Sequence, residues 1–541
     1  MLFRSTEGIS ITHLFPKIEK DNKLRDTRLN IWDFSGQEID YSTHQFFLTH
    51  NAVYLFVFNS RKNDEENNFK YWMNIIQTLS PESPVIGIMN SFDNQTDLFT
   101  AEQWREQYPK VTKFIRVDCG EKSNKGIENL WDEIKHQVKG LKVFGVDWPV
   151  SFANVRQDLE DLSKSTKKIS VNLFRDICTK NQLNDTLSQD ELAKFLTDIG
   201  TIIHYPNPSS HLSETDNELL QENIFLDSEW ATKAVYLLVR DNQEKIRNNA
   251  AAFTRAELVE YWENLYDRTD FKILLALVKR FDLCFQMEQE ERYILPQLLS
   301  ASRPAGTTIQ SSEKLRFRLQ YEDAMPKGII TRFICKQHQR IKKTKGNLVY
   351  WRDGVVLEYE GETTALIHKI SGKDIIDIEI SGKRRRDFLS IIRDNFDQIH
   401  KPLNNLQPKE VVGCICKKCL SNEFPHFFNY TNLIKKFESG RYHTEMCMES
   451  DLDVEIRILV DNIGSVNRFL REEVKKLIQK GRLEEAINSL PESQDKSLLE
   501  SRFTQLKTDQ VKGLITREEY HVLSNNLSMV ILKFTSGGMH K

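Results

Sequence analysis

The sequence predicts a multidomain chain of mixed α/β and α+β class, and three observations lead there. Apolar strand-like runs alternate with amphipathic stretches up to about Val138, the pattern of a doubly wound parallel sheet. From Trp148 that alternation stops and helical spacing takes over, until period-two patterning returns between Lys314 and Ile399. Four of the eight cysteines then fall between Cys414 and Cys447.

Composition narrows the function classes. A chain of 541 residues, 39% hydrophobic and 28% charged, can build several cores. A net charge of -3 gives no global basic footprint, so neither nucleic acid nor an anionic membrane is an expected partner. The longest apolar run, Ala52 to Phe58, is seven residues, far short of a bilayer span. No secretory signal follows Met1, and the cysteines are too few to staple this length, so a cytoplasmic location is expected.

In order, Ile9 to Phe15 reads as a strand, and Leu29 to Gln37 as a strand ending in Asp33-x-x-Gly36-Gln37. Ala52 to Asn59 reads as a strand buried on both faces. Glu65 to Leu79 has helical spacing through Phe69, Trp72, Met73 and Ile76 and stops before Pro81. Pro84 to Met89 is the next strand, with Asn90-Ser91-Phe92-Asp93 at its end. A further helix, the strand Lys113 to Val117 with Asp118-Cys119-Gly120 behind it, and the helix Ile127 to Val138 complete the unit. Ligands bind such sheets outside the carboxyl ends of their strands, where these motifs fall.

At this point the sequence resembles the Roc domain, the Ras-like module of Roco proteins, over residues 1–145. The resemblance implies GTP or GDP with Mg²⁺. Asp33 and Thr6 would hold the ion, Gly36 would contact the γ-phosphate, and Gln37 would orient the attacking water. Asn90 and Asp93 match the guanine-reading motif, although Ser91 stands where a lysine is usual. Cys119 lies in the last guanine-contacting turn. No G-x-x-x-x-G-K-S/T phosphate loop occurs, because the chain opens at switch I, a point that about forty residues precede in such domains. The expectation is impaired GTP binding as written, with two strands that have lost a central neighbour. A wrong start, an upstream fragment completing the domain, or a degenerate GTPase each account for this. Hydrolysis is expected only if a phosphate loop is supplied.

Beyond this unit, Phe152 to Leu162, Ser170 to Asn181 and a third segment beginning at Ser188 read as helices, the last ended by Gly200. Ile202 to Pro206 is a short strand, and Asn223 to Trp230 leads into another helix. This order resembles the first COR subdomain, winged-helix-like, over 146–303. His204, alone in an apolar strand, reads as a core or interface residue. Leu315 to Leu319, Val349 to Leu357, Thr364 to Ile370 and Ile375 to Ile380 read as strands, with helices through Cys335 and over Phe388 to Ile399. Met325-Pro326-Lys327-Gly328 and Trp351-Arg352-x-Gly354 resemble the second, α+β, COR subdomain over 304–402. The resemblance implies a homodimer formed through COR. Lys383 to Arg386 reads as a solvated turn.

Cys414-x-Cys416-x-x-Cys419 with Cys447 offers four thiolates for a closed, structural Zn²⁺ knuckle over 403–465, His426 or His443 being possible replacements. Val466 to Leu490 reads as a helical hairpin, Leu498 to Val511 as a third helix, and Thr516-x-x-Glu519 as a capping box. Residues 466–541 resemble effector-associated helical domains, which implies a protein effector as partner; a plain helical bundle fits the pattern equally. The whole reads as a Roco-type signalling protein. The rival classes are a nucleotide-independent interaction scaffold and, by family analogy alone, a Ser/Thr kinase. Asp33-Phe34-Ser35-Gly36 is not a kinase metal motif, and the chain has no glycine-rich loop, strand lysine or His-Arg-Asp loop.

Overall fold

In a computed structural model of the chain, the described residues are 9–34, 51–58, 64–90, 101–118, 126–209, 211–287, 291–309, 314–322, 325–344, 346–401, 403, 406–422, 424–461, 478, 482–488, 494–511, 523–524 and 527. The chain divides into two compact units, one of residues 1–311, 316–379 and 394–410, the other of 312–315, 380–393 and 411–541.

The first unit opens with β1 (Ile9–Leu14), β2 (Lys17–Lys20), β3 (Lys23–Asp26) and β4 (Leu29–Phe34). β1 and β4 pair antiparallel, Ile9 opposite Phe34 and Leu14 opposite Leu29. β2 and β3 form a hairpin turned by Asp21 and Asn22, whose φ angles of 53° and 59° suit the two-residue turns that match strand twist. Nothing in the sequence reading anticipated this hairpin, since its strands are mostly charged and its turn has no glycine.

β5 (Tyr54–Phe58), β6 (Val85–Asn90) and β7 (Val111–Val117) form a separate parallel sheet in that order. Helices α1 (Asp64–Leu79) and α2 (Ala101–Gln107) supply Phe69, Met73, Ile76 and Trp104 to one face, around Val85 and Val111. α3 (Ile127–Gly140) supplies Leu130 and Ile134 to the other, against Ile86, Ile88 and Ile115. The doubly wound layering thus holds. One detail does not: β5 is an edge of this sheet, and Leu55 and Val57 are 39% and 60% exposed rather than buried on both faces. A continuous apolar run cannot by itself distinguish an interior strand from an edge.

The next layer contains α4 (Val150–Ser163), β8 (Lys168–Ser170), α5 (Val171–Lys180), α6 (Thr186–Asp198), β9 (Ile203–His204), α7 (Glu214–Gln221), β10 (Asn223–Phe225) and α8 (Ser228–Tyr236). The strands pair in the order β8-β10-β9, and Val155, Leu159, Phe174, Leu192, Leu196 and Ile224 pack around them. α6 starts two residues before the expected Ser188, because the Asp185 carboxylate accepts the Ser188 N–H at 2.8 Å and caps the helix there. A second core gathers α8, α9 (Gln243–Asn248), β11 (Ala252–Thr254), α10 (Arg255–Trp262), α11 (Phe271–Arg280), β12 (Phe285–Gln286) and β13 (Arg292–Ile294). Ile9 of β1 joins this core, with Ile11, Trp32 and Phe34 against it.

β14 (Leu315–Gln320), α12 (Ile329–Lys336) and the short β15 (Lys343–Thr344) and β16 (Asn347–Leu348) begin the α+β part. β17 (Tyr350–Trp351), β18 (Gly354–Tyr359), β19 (Thr363–Lys369) and β20 (Ile375–Ser381) lie side by side in sequence order, with β14 beyond β20. The expected single strand Val349 to Leu357 is instead a tight hairpin, Trp351 opposite Gly354. The close approach of the two strands leaves no room for a Cβ at residue 354, which would fall 2.3 Å from the Trp351 ring. α13 (Arg385–His400) follows, and its Phe396 stacks on Phe333 of α12 at 4.3 Å between ring centroids.

In the second unit, β21 (Lys409–Gly413) and β22 (Phe427–Asn429) pair antiparallel around α14 (Lys417–Ser421), followed by α15 (Tyr430–Ser439), the hairpin of β23 (Thr444–Met446) and β24 (Asp453–Glu455), and α16 (Ile456–Asp461). α17 (Leu483–Asn488) and α18 (Gln494–Val511) share a small core of Leu483, Ala486, Ile487, Leu499 and Phe503. Among the described residues no helix is long and apolar enough to cross a membrane.

Candidate nucleotide and metal sites

The parallel sheet brings its carboxyl ends into line. Phe58 pairs with Met89, and Asn90 pairs with Val117, so Asn90 and Asp118 sit at one edge of β6 and β7. Asn90 closes β6, and its Oδ1 is buried with no hydrogen-bond partner among the described residues. A buried carbonyl oxygen left without a donor is costly, and a ligand N–H is the kind of group that would relieve it. Asp33 is exposed near the end of β4, opposite Ser10 of β1. Thr6, Gly36, Gln37, Asp93 and Cys119 lie outside the described residues. Of the predicted nucleotide residues the structure therefore describes Asp33 and Asn90, on two different sheets.

The four cysteines come together in three dimensions. Their sulfurs all lie within 4.8 Å of one another, with Cys419 and Cys447 Sγ at 3.5 Å and Cys416 and Cys447 Sγ at 3.8 Å. A tetrahedron of thiolates about 2.3 Å from a zinc ion has edges of about 3.8 Å. Cys414 leaves β21, Cys416 caps α14, Cys419 lies one turn into it, and Cys447 follows β23. Backbone N–H groups point at the sulfurs: Cys416 N–H donates to Cys414 Sγ, Cys419 N–H to Cys416 Sγ and His426 N–H to Cys419 Sγ, each at 3.4 Å. Such donors favour thiolate over thiol.

Four thiols this close cannot all ionise without a cation between them. Burial pushes Cys414 well up and Cys419 up to about 11. Burial also opposes ionisation of Cys416 and Cys447, yet hydrogen bonds led by the Ser450 hydroxyl overcome it and bring Cys447 down to about 6. Ser450 was not singled out from the sequence; its position three residues after Cys447 was the available signal. His426 contributes a backbone N–H, while its ring stands edge-on to Phe428 at 4.6 Å, and the ligand set is complete without either histidine. His204 is half-buried, its Nε2 3.2 Å from the Gln221 carbonyl oxygen, as expected of a structural residue.

Comparison with known proteins matches four family models: Roc (Ras of Complex, Roc, domain of DAPkinase) at 3–93, COR-A (C-terminal of Roc) at 149–299, COR-B (C-terminal of Roc) at 312–462 and Effector-associated domain 11 at 470–537. The COR-B match runs through all four cysteines. The chain is 27% identical to a Roc-COR-CHAT protease of Runella zeae, over 61% of this chain and 34% of that protein. It is 22% identical to a Roc-COR-CHAT protease of an unknown prokaryotic organism over 98% of this chain and 49% of that one. It is 24% identical to the probable serine/threonine-protein kinase pats1 of Dictyostelium discoideum over 79% of this chain and 14% of that one. The chain thus spans no more than about half the length of these relatives. Among solved structures, Methanosarcina barkeri Roco2 RocCORdC bound to GDP aligns with a TM-score of 0.44 and 28% identity, over 54% of this chain and 86% of that one. The domain order places the chain in the Roc-COR, or Roco, family.

Proposed function

We propose that this chain carries a guanine-nucleotide switch coupled to COR dimerisation and to recruitment of a protein effector through its helical tail. The observation that carries the nucleotide part is Asn90, whose buried Oδ1 has no partner among the described residues and stands at the carboxyl edge of β6. In this reading Asn90 and Asp93 read the base, with Cys119 in the neighbouring turn. Asp33 and Thr6 hold Mg²⁺, Gly36 meets the γ-phosphate, and Gln37 positions water for hydrolysis. In this reading an upstream fragment supplies the phosphate cradle.

The same reading includes a structural Zn²⁺ on Cys414, Cys416, Cys419 and Cys447, which four sulfurs at tetrahedral spacing with three N–H donors support. A closed four-thiolate site supplies folding energy and leaves no open position for catalysis. Neither the kinase nor the protease activity in the relatives' names is assigned to residues of this chain.

Binding of a fluorescent GTP analogue with Mg²⁺, to this chain and to one extended by upstream sequence, tests the nucleotide reading. Binding by the extended form, lost on Asn90→Ala, is the expected result. Absence of binding by both forms leaves the nucleotide-independent scaffold, the second reading, which the separate sheets favour.

A further inference from the structure

Asp282 is a carboxylate placed against its own helix. It lies two residues beyond the end of α11, with φ at 52°, the left-handed position that usually falls to glycine, and its N–H closes on the Lys279 carbonyl oxygen at 2.9 Å. A negative charge there meets the negative end of the helix dipole, and the residue is 9% exposed. Local structure therefore offers this carboxylate strain, repulsion and desolvation.

What compensates comes largely from elsewhere in the fold. Lys336 Nζ of α12 lies 3.6 Å from Asp282 Oδ1. Arg332, one turn earlier on α12 and 5% exposed, acts on the same carboxylate through its charge. His211 Nε2 lies 2.8 Å from Oδ1, while its Nδ1 is 3.0 Å from Lys336 Nζ. An ammonium can only donate, so Nδ1 accepts and the imidazole proton sits on Nε2, which lies between Asp282 Oδ1 and the Lys279 carbonyl oxygen 3.3 Å away. His211 and Asp282 belong to the COR-A span, Arg332 and Lys336 to COR-B. The turn that leads into the other end of α12 meets the Roc-like module, where the Lys327 N–H donates to the Tyr71 hydroxyl of α1 at 3.3 Å.

We infer that Asp282 is a latch that locks α12, and with it COR-B, onto COR-A, so that a displacement of α12 at its Tyr71 end reaches COR-A through one buried carboxylate. The inference stands whether or not nucleotide binds. A carboxylate that only stabilised its own subdomain would gain more from partners on α11 or its neighbours than from two cations on another subdomain.

Two buried thiols report on the latch in the full chain. Cys284 lies two residues beyond Asp282, next to Phe285, whose ring stacks on His338 of COR-B at 5.1 Å. Cys335 precedes Lys336 on α12 and is 3% exposed. Cys178 is also fully buried, but in the separate core around Phe174 and Leu192, and serves as internal control. In Asp282→Asn, alkylation by iodoacetamide, mapped by mass spectrometry, should speed up at Cys284 and Cys335 on the order of tenfold or more, with Cys178 unchanged, because a buried charge without its partner favours local opening. The double variant Asp282→Asn/Lys336→Met should slow that labelling again. If Asp282→Asn does not fold, Lys336→Met alone must show the same selective exposure. Labelling that rises equally at all three cysteines, or at none, overturns the latch.

Discussion

His204 shows how a residue that invites a catalytic reading is tied to stability instead. Burial, opposed by the Gln221 carbonyl and the Asp190 carboxylate and aided by the Arg175 guanidinium, keeps its pKa below the usual 6.5. The unfolded chain therefore takes up this proton first. The stabilisation is complete above the ordinary histidine value and is lost as pH falls through it toward the folded value. His204→Gln should flatten that part of the acid limb of a urea-unfolding profile, and an unchanged limb would assign it to other groups, His368 among them. Cys447 is the corresponding test of the metal. Cys447→Ser should abolish stoichiometric zinc measured by elemental analysis of the purified chain, and chelation should melt the β23-β24 hairpin in the unaltered protein but not in the variant. Retention of full zinc by Cys447→Ser would remove that cysteine from the ligand set.

At the scale of elements, capping and turn chemistry decided where the segments begin and end. The Asp185 cap, not the first apolar residue, sets the start of α6, and the Thr254–Glu257 capping box opens α10. Gly126 opens α3 at φ 88°, and a Cβ there would fall 2.1 Å from the Arg116 carbonyl oxygen. Gly126→Ala should destabilise the chain by about 1 to 2 kcal/mol from the left-handed backbone alone, with more from the clash, read as a shift of the unfolding midpoint. A neutral result would mean that β7 and α3 can separate at this turn without cost. The β2-β3 hairpin escaped the sequence reading because charged strands carry no hydrophobic period, and Asp21-Asn22 is a weaker turn signal than a glycine pair. The hairpin inside Val349 to Leu357 escaped for the opposite reason: its apolar residues run on across the turn.

At the scale of the whole molecule, the two sheets of the Roc-like module set the terms of the nucleotide experiment. β4 carries Asp33 and β6 carries Asn90, and a phosphate-binding segment has to bridge the two for a nucleotide to touch both. Binding that needs an upstream extension would identify that bridge. Binding by the chain alone would mean that the residues present already form one. The COR region is continuous in a different sense, because α12 is held at one end by Tyr71 and along its length by Asp282 and Phe396.

The sequence by itself determined the order of modules and the positions of their motifs. Asp33-x-x-Gly36-Gln37, Asn90-x-x-Asp93, the COR patterns and the cysteine spacing are local in the chain, and local chemistry and periodicity are what a sequence displays. The domain order matched by the family models was legible in this way. Only the tertiary structure decided that β5 lies at an edge, that Cys447 closes on a knuckle 28 residues away, and that Asp282 answers to cations on another subdomain. Those facts depend on which distant segments share a burial, and no period or motif within either segment encodes its partner.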